Sequence, residues 1–201
     1  VRGAVIKLGK DFSFCKIEEG DILTVGAATL DRKVANFAKE NNLGNLEFLS
    51  CIPGSIGGAI IMNSGCYDND ISKVLLSIQA IDKNKFSEIE IKKEDINFSY
   101  RGTDLPEDLI VISAKLKGIA RKKEEIEKKQ SYLINKKKQS QPSQIKTCGS
   151  TFKNINADKK AWMLIKEAGC SNFRVGDAII SPKHCNFFVN EGNAKSADIE
   201  N

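Results

Sequence analysis

The spacing of apolar residues divides the first part of the chain into strands and one helix. Two short apolar runs, Ala4 to Leu8 and Asp21 to Ala27, have the length and β-branched content of strands. Apolar residues then recur at helical spacing at Leu30, Val34, Phe37 and Ala38. This period predicts an amphipathic helix with one buried face. The mixture indicates a fold with both helices and sheets.

The middle of the chain predicts further strands and a long helix. Leu75 to Asp82 and Ser87 to Lys92 are strand candidates joined by a polar turn, and Leu109 to Leu116 is a third. From Ala120 to Lys138 the chain is basic, with a thin apolar stripe typical of a surface helix.

A proline-containing polar segment marks the predicted domain boundary. Pro142 has no amide proton and disfavours helical geometry at Gln141, so the long helix cannot continue. We therefore predict one domain over residues 1–139 and a second over residues 140–201.

The second predicted domain starts with a strand-like run from Gly149 to Asn154. An apolar helical face follows, formed by Ala161, Leu164, Ile165 and Ala168. A predicted hairpin pairs Arg174 to Ile180 with Asn186 to Val189. The expected fold class of the whole chain is α+β.

Charge, cysteine content and hydropathy argue against a nucleic-acid-binding, metal-binding or membrane-spanning protein. The 201 residues carry 31 Lys and Arg against 26 Asp and Glu, and the basic excess is concentrated between Lys115 and Lys153. That stretch lacks interleaved aromatic residues, so a solvated helix face is favoured over a nucleic-acid groove. Six scattered cysteines without a C-x-x-C pair, and His184 as the sole histidine, predict no metal site and a reduced, cytoplasmic setting. The absence of a long apolar run argues against a membrane span.

One segment, CIPGSIGGAIIMNSG, has no charge over fifteen positions. Glycines lack a Cβ atom, so a flat or phosphorylated ligand can approach the main chain, and free amides with a Ser hydroxyl can face an anion. The candidate binding residues are Pro53, Gly54, Ser55, Ile56, Gly57, Gly58, Asn63 and Gly65. The pattern matches neither G-x-G-x-x-G nor a Walker loop. The competing interpretation is that these glycines merely permit tight turns and close helix packing.

Four ordered motifs resemble those of one known family. The segment IPGSIGGAIIMNSGCY is similar to the flavin-binding signature of the UDP-N-acetylenolpyruvoylglucosamine reductases. The stretches FSYR (from Phe98), QP with CGSTFKN (from Gln141 and Cys148) and SPKHCNF (from Ser181) resemble that family's other motifs in the same order.

The resemblance implies a FAD-binding domain of the vanillyl-alcohol oxidase type, followed by a small α+β substrate-binding domain. It implies FAD and NADPH as cofactors and a nucleotide sugar as the small-molecule substrate. Arg101 and Ser150 take the catalytic positions, and Tyr100, Lys138 and Asn154 take the substrate-binding positions. A monomer without nucleic-acid or membrane partners is expected.

The resemblance also implies that the chain is a fragment. It starts inside a strand-like run without an initiator Met and stops as a helical pattern begins at Asp198. Two other hypotheses stay open at this point: another FAD oxidoreductase of the same fold that oxidises an alcohol, and an inactive truncated remnant. His184 is expected to be structural, and Cys148 to be a small packing residue.

Overall fold

The structure is a computed structural model that describes residue 3, residues 5–156 and residues 158–201. The chain divides into two compact units, residues 1–134 and residues 135–201. The predicted boundary, after residue 139, lies five residues beyond this division. Across the described residues, no helix has both the length and the apolar content needed to cross a bilayer.

The described residues of the first unit form eleven strands, two complete α-helices and the start of a third. Its strands are β1 (Cys15–Ile17), β2 (Ile22–Gly26), β3 (Leu43–Gly44), β4 (Gly65–Cys66), β5 (Asn69–Asp70), β6 (Leu75–Asp82), β7 (Ser87–Lys92), β8 (Phe98–Ser99), β9 (Gly102–Thr103), β10 (Leu109–Lys117) and β11 (Ile119–Ala120). Its helices are α1 (Asp31–Glu40), α2 (Ile56–Ile61) and the start of α3 (Lys123–Ser140).

A five-stranded antiparallel sheet forms the centre of this unit, in the order β1-β2-β10-β6-β7. Each inner strand alternates buried and partly exposed residues, as expected of a sheet with one covered face. The core beneath it combines strand residues with α1 and α2, and its fully buried members include Leu23, Val34, Phe48, Ile60 and Ile78.

Most predicted elements of this unit are confirmed. In α1, Val34 and Ala38 of the predicted apolar face are buried and Phe37 is partly buried, but Leu30 precedes the helix and is 51% exposed. The strands β6 and β7 have the predicted bounds. The strand predicted from Ala4 to Leu8 is wrong over Val5 to Leu8, which are not in a strand, while Ala4 lies outside the described residues. In α3, Ile126 and Leu133 are buried, which confirms the thin apolar stripe.

The second unit contains the end of α3 and a small α+β assembly. Its elements are β12 (Lys146–Ser150), α4 (Ala161–Glu167), β13 (Arg174–Val175), β14 (Ala178–Ile180), β15 (Phe187–Asn190) and α5 (Ser196–Glu200). The four strands form an antiparallel sheet in the order β12-β15-β14-β13. The helix predicted here is confirmed, and Gly169, with φ +73°, follows its end.

Two strand predictions in this unit are wrong. The strand expected from Gly149 to Asn154 ends at Ser150, because Gly149 has φ +90° and the pairing with β15 shifts register there. The run from Arg174 to Ile180 is not one strand but the β13–β14 hairpin, which turns at Gly176, where φ is +55°. The predicted pairing of this run with the strand that follows it is confirmed for Ala178–Ile180, which pairs with β15.

Candidate active site

The glycine-rich segment forms a loop and the short helix α2, both held by the chain that follows β2. The amide of Ile56 donates to the carbonyl of Thr29 at 3.0 Å, and that of Gly57 donates to the carbonyl of Ala27 at 2.9 Å. Ser55 also pairs with Leu30 in an isolated β-bridge. The expectation of successive free amides is therefore wrong for Ile56 and Gly57, because protein carbonyls already occupy both.

The two central glycines have different physical roles. A Cβ atom on Gly57 would lie 3.1 Å from the Cβ of Ala27, so this glycine permits the close packing of α2 on the β2 loop. A Cβ atom on Gly58 would meet nothing within 4 Å. Gly58 therefore presents a bare, exposed surface on which a ligand can lie against the main chain.

A cleft of about 610 Å³ lies against this surface. Its described lining is Ile6, Lys7, Leu8, Ala27, Ala28, Leu30, Ser55, Gly57, Gly58, Ile61, Met62 and Val111. Nearly all of these side chains are apolar or small, and bare glycine backbone completes the wall. Such a surface fits the flat ring system of a flavin, which needs an apolar wall with few polar groups.

Sequence reasoning missed most of this wall: of the described lining residues it predicted only Ser55, Gly57 and Gly58, and the missed ones include Ala27, Ala28, Leu30 and Val111. Ala27 is the last residue of a predicted strand and Ala28 follows it, and small residues where a strand passes into a loop are the available signal. Val111 lies in a central strand and has no such signal, because any buried strand contains residues of this type.

Asn63 and Gly65 shape the end of the segment. The side-chain amide of Asn63 donates to the carbonyl of Ser99 at 3.0 Å, and its oxygen accepts from the amide of Ser72 at 3.1 Å. A Cβ atom on Gly65 would lie 2.4 Å from the carbonyl oxygen of Asn69, so no larger residue fits there. Both residues thus make structural contacts within the protein.

The structure brings Tyr100 and Arg101 to this same segment. They form the turn of the β8–β9 hairpin, where Arg101 has φ +61°. The Arg101 guanidinium donates to the carbonyl of Gly65 at 2.8 Å, and it lies 5.0 Å from the ring centre of Tyr100. Tyr100 is 54% exposed, so its ring is accessible beside the guanidinium.

A buried carboxyl that sequence reasoning missed lies under the loop. Asp31 is fully buried at the start of α1, and neither of its carboxyl oxygens has a hydrogen-bond partner among the described residues. A Cβ atom on Gly54 would lie 3.1 Å from Asp31 Oδ2. Burial disfavours the charged form and raises the pKa of Asp31 to about 7.

In the second unit, Ser150 is the exposed last residue of β12, directly after Gly149, whose φ is +90°. The next two residues are fixed by Asn186. Its backbone carbonyl accepts from the Thr151 amide at 2.9 Å. Its side chain accepts from the Phe152 amide at 3.0 Å and donates to the Phe152 carbonyl at 2.8 Å. The position of Ser150 is therefore set by backbone pairing on both sides.

Asn154 and Lys138 lie elsewhere in this unit. The side-chain oxygen of Asn154 accepts from the Ala161 amide at 3.1 Å, at the start of α4. Lys138 is exposed in the last turn of α3, and its carbonyl accepts from Lys183 Nζ at 2.5 Å.

The position of His184 in the structure agrees with the role expected of it, and the position of Cys148 does not. His184 packs edge-on against Phe187, with ring centres 4.8 Å apart, and its Nδ1 accepts from the Asn186 amide at 3.3 Å. Burial lowers the pKa of His184, which favours the neutral ring. The structural role expected of His184 is confirmed. The packing role expected of Cys148 is wrong, because Cys148 is exposed.

Comparison with known proteins first gives the class. A family model described as "FAD binding domain" matches residues 1–84, the region that contains α2 and most of the cleft lining. A second, described as "UDP-N-acetylenolpyruvoylglucosamine reductase, C-terminal domain", matches residues 141–201. The first unit is thus a flavoprotein domain.

The relatives give the family. A UDP-N-acetylenolpyruvoylglucosamine reductase of Pelagibacter ubique (strain HTCC1062) is 50% identical over 98% of this chain and 66% of its own length. One of Wolbachia sp. subsp. Brugia malayi (strain TRS) is 41% identical over 100% of the chain and 68% of its own. The crystal structure of the Thermus caldophilus reductase matches with a TM-score of 0.81 and 35% identity, over 88% of this chain and 65% of that one.

This chain belongs to the UDP-N-acetylenolpyruvoylglucosamine reductase family. It spans about two thirds of the length of these relatives.

Proposed function

We propose that this chain is part of an enzyme that reduces UDP-N-acetylenolpyruvoylglucosamine to UDP-N-acetylmuramate, with FAD as the bound cofactor and NADPH as the reductant. The reaction belongs to peptidoglycan precursor synthesis in the cytoplasm, and a monomer acts on its small nucleotide-sugar substrate. The main structural support is the attachment of the Tyr100–Arg101 turn to the glycine-rich segment that lines the apolar cleft. We also propose the functional division into a FAD-binding domain over residues 1–139 and a substrate-binding domain over residues 140–201.

The cleft residues would hold the flavin. Gly58 offers bare backbone, Gly57 keeps α2 close to Ala27, and the side chains of Leu30 and Met62 give apolar contact. The other proposed cofactor residues, Pro53, Gly54, Ser55, Ile56, Asn63 and Gly65, shape the loop and the end of α2. When bound, the flavin supplies the hydride.

Arg101 would stabilise the charge that develops on the substrate. Addition of a hydride to the terminal carbon of an enolpyruvyl group leaves an electron pair on the neighbouring carbon, which its carboxylate delocalises. A guanidinium can bond that carboxylate at two points, and its stabilisation grows as the charge develops. The hydrogen bond to the Gly65 carbonyl holds the guanidinium in a fixed direction, which lowers the cost of reorganisation.

Ser150 would then donate the proton to that carbon. A serine hydroxyl is a weak acid, but an enolate carbon is basic enough to take a proton from it when a donor is correctly placed. The exposed position of Ser150 at a fixed strand end is compatible with this role. Tyr100, Lys138 and Asn154 would bind the rest of the substrate, with Lys138 acting as a point charge for the diphosphate.

The test is steady-state NADPH oxidation by the complete flavoprotein in the presence of the enolpyruvyl nucleotide sugar. We expect substrate-dependent turnover, and Arg101→Lys should lower kcat by at least ~100-fold while FAD stays bound. Ser150→Ala should block protonation and leave flavin reduction by NADPH unchanged. A yellow protein that turns over an alcohol and ignores Ser150→Ala would instead identify an alcohol oxidoreductase, and a colourless protein would identify an inactive remnant.

A further inference from the structure

The Tyr100–Arg101 turn is tied to the glycine-rich segment by two side chains outside the turn itself. Asn63 Nδ2 donates to the carbonyl of Ser99, immediately before the turn, at 3.0 Å. Thr103 Oγ1 donates to the carbonyl of Ile61, the last residue of α2, at 3.1 Å. We call this pair, Asn63 and Thr103, the brace.

The backbone of the turn requires such a restraint. Arg101 has φ +61°, the left-handed region in which a residue with a Cβ is strained and glycine is usually found. Strained residues of this kind persist only where the surrounding structure holds them in place. The brace holds both strands of the hairpin, one on each side of Arg101, and so opposes relaxation of the turn.

The Asn63 side chain can make its two hydrogen bonds in only one orientation of its amide. Asn63 is 7% exposed and uses both ends of its amide, because its oxygen accepts from the Ser72 backbone while its nitrogen donates to Ser99. A flipped amide would place its nitrogen against the Ser72 amide donor and its oxygen against the Ser99 carbonyl acceptor. Asn63 therefore links three parts of the unit: the 3-10 turn Ile71–Lys73, the chain just after α2, and the β8–β9 hairpin.

We propose that Asn63 and Thr103 are positioning residues that set the direction of the Arg101 guanidinium toward the substrate carboxylate. They act through Arg101 and touch neither the substrate nor the reacting atoms. This inference rests on the proposed function. It assigns to the side chain of Asn63 a role in placing the catalytic arginine rather than in binding flavin. Small displacements of such a group lower the rate strongly, because stabilisation of developing charge depends on geometry.

The complete flavoprotein tests this with Thr103→Val, which keeps the shape of the side chain and removes the hydroxyl donor. The two half-reactions are measured separately under anaerobic conditions: reduction of the flavin by NADPH, and its reoxidation by the enolpyruvyl nucleotide sugar. We expect the second step to slow ~5- to 10-fold, the loss of about one neutral hydrogen bond. The first step, the flavin content and KM should change little.

Conservative variants separate positioning from general damage. Thr103→Ser restores the donor and should return the rate to within about twofold of the parent. Asn63→Asp keeps the acceptor for the Ser72 amide but faces the Ser99 carbonyl with an oxygen, so it should slow the same step. Ser72→Ala is the matched control, because it retains the backbone amide that Asn63 accepts, and its rate should equal that of the parent. If Thr103→Val reacts like the parent, or slows both half-reactions equally, the inference is wrong.

A second measurement does not depend on turnover. Hydrogen exchange of the amides in residues 98–103 should be faster in Thr103→Val and Asn63→Asp than in the parent, and unchanged in Thr103→Ser. Equal exchange rates in all four proteins would show that Asn63 and Thr103 do not restrain the turn. If the reduced flavin of the parent is not reoxidised by the nucleotide sugar, the proposed function is wrong. Hydrogen exchange alone then decides whether the brace restrains the turn.

Discussion

The buried carboxyl of Asp31 should make this protein less stable as pH rises. In the folded state its pKa is about 7, raised from 3.8 by burial without a hydrogen-bond partner among the described residues. The folded state therefore binds the proton more tightly than the unfolded state. The contribution of Asp31 to stability is fully present below pH ~4 and is lost as pH rises through ~7. Between pH 5 and pH 8 the loss amounts to roughly 2–3 kcal/mol.

The position of Asp31 at the start of α1 offsets little of this loss. A helix amino terminus stabilises a carboxylate by typically ~0.3–1 kcal/mol, whereas raising the pKa of Asp31 from 3.8 to about 7 corresponds to about 4 kcal/mol. Asp31→Asn removes the titrating group and keeps the shape of the side chain. The variant should lack the Asp31 part of the decline in stability between pH 5 and pH 8.

The assay is thermal unfolding of the complete protein and of Asp31→Asn in parallel from pH 5 to pH 8. The unfolding midpoint of the parent should fall by roughly 5–10 °C more than that of the variant over this interval, since ~1 kcal/mol shifts the midpoint of such a protein by roughly 2–4 °C. Asp95→Asn, an exposed carboxyl of the same unit, is the control and should follow the parent. If the unfolding midpoints of the parent and of Asp31→Asn change in parallel with pH, burial does not raise the pKa of this carboxyl and the prediction is wrong.

Two further predictions concern the cleft and the core. Gly58→Ala places its Cβ in open space, so it should leave the unfolding midpoint unchanged or slightly higher while it weakens FAD binding, measured by flavin fluorescence titration. Gly57→Ala, whose Cβ would press on Ala27, should also lower the midpoint. Equal effects of the two variants on binding and stability would contradict the roles assigned to these glycines. The buried side chain of Glu47 is 1% exposed and lies 3.4 Å from Lys129 Nζ. Lys129→Met removes this cation and should destabilise the first unit by roughly 1–3 kcal/mol in denaturant unfolding, whereas Lys128→Met on the same helix should cost almost nothing. Similar losses of stability for the two variants would show that the ion pair is unimportant.

Much of the fold was predictable because local pattern and final structure agree. The bounds of β6 and β7 and the burial of Val34 and Ala38 in α1 follow from apolar spacing alone, since α1 and β6 bury residues in the core and Ile91 of β7 packs against it. The strand predicted over Gly149 to Asn154 failed because the pattern does not reveal where a glycine will adopt positive φ.

For the site, the sequence by itself determined which residue types are present and in what order. The charge-free run with Gly57 and Gly58, the Tyr100–Arg101 pair and Ser150 could all be chosen from it as candidates, because each belongs to a short motif whose members are adjacent in the chain. The tertiary structure alone decided what each motif contacts. Asn63 meets Ser99 across 36 positions of sequence, and Arg101 meets Gly65 across 36. Asp31 looks like an ordinary first-turn helix residue until the loop at Gly54 covers it. Burial and hydrogen-bond partners depend on which distant segments pack together, and no local pattern specifies that.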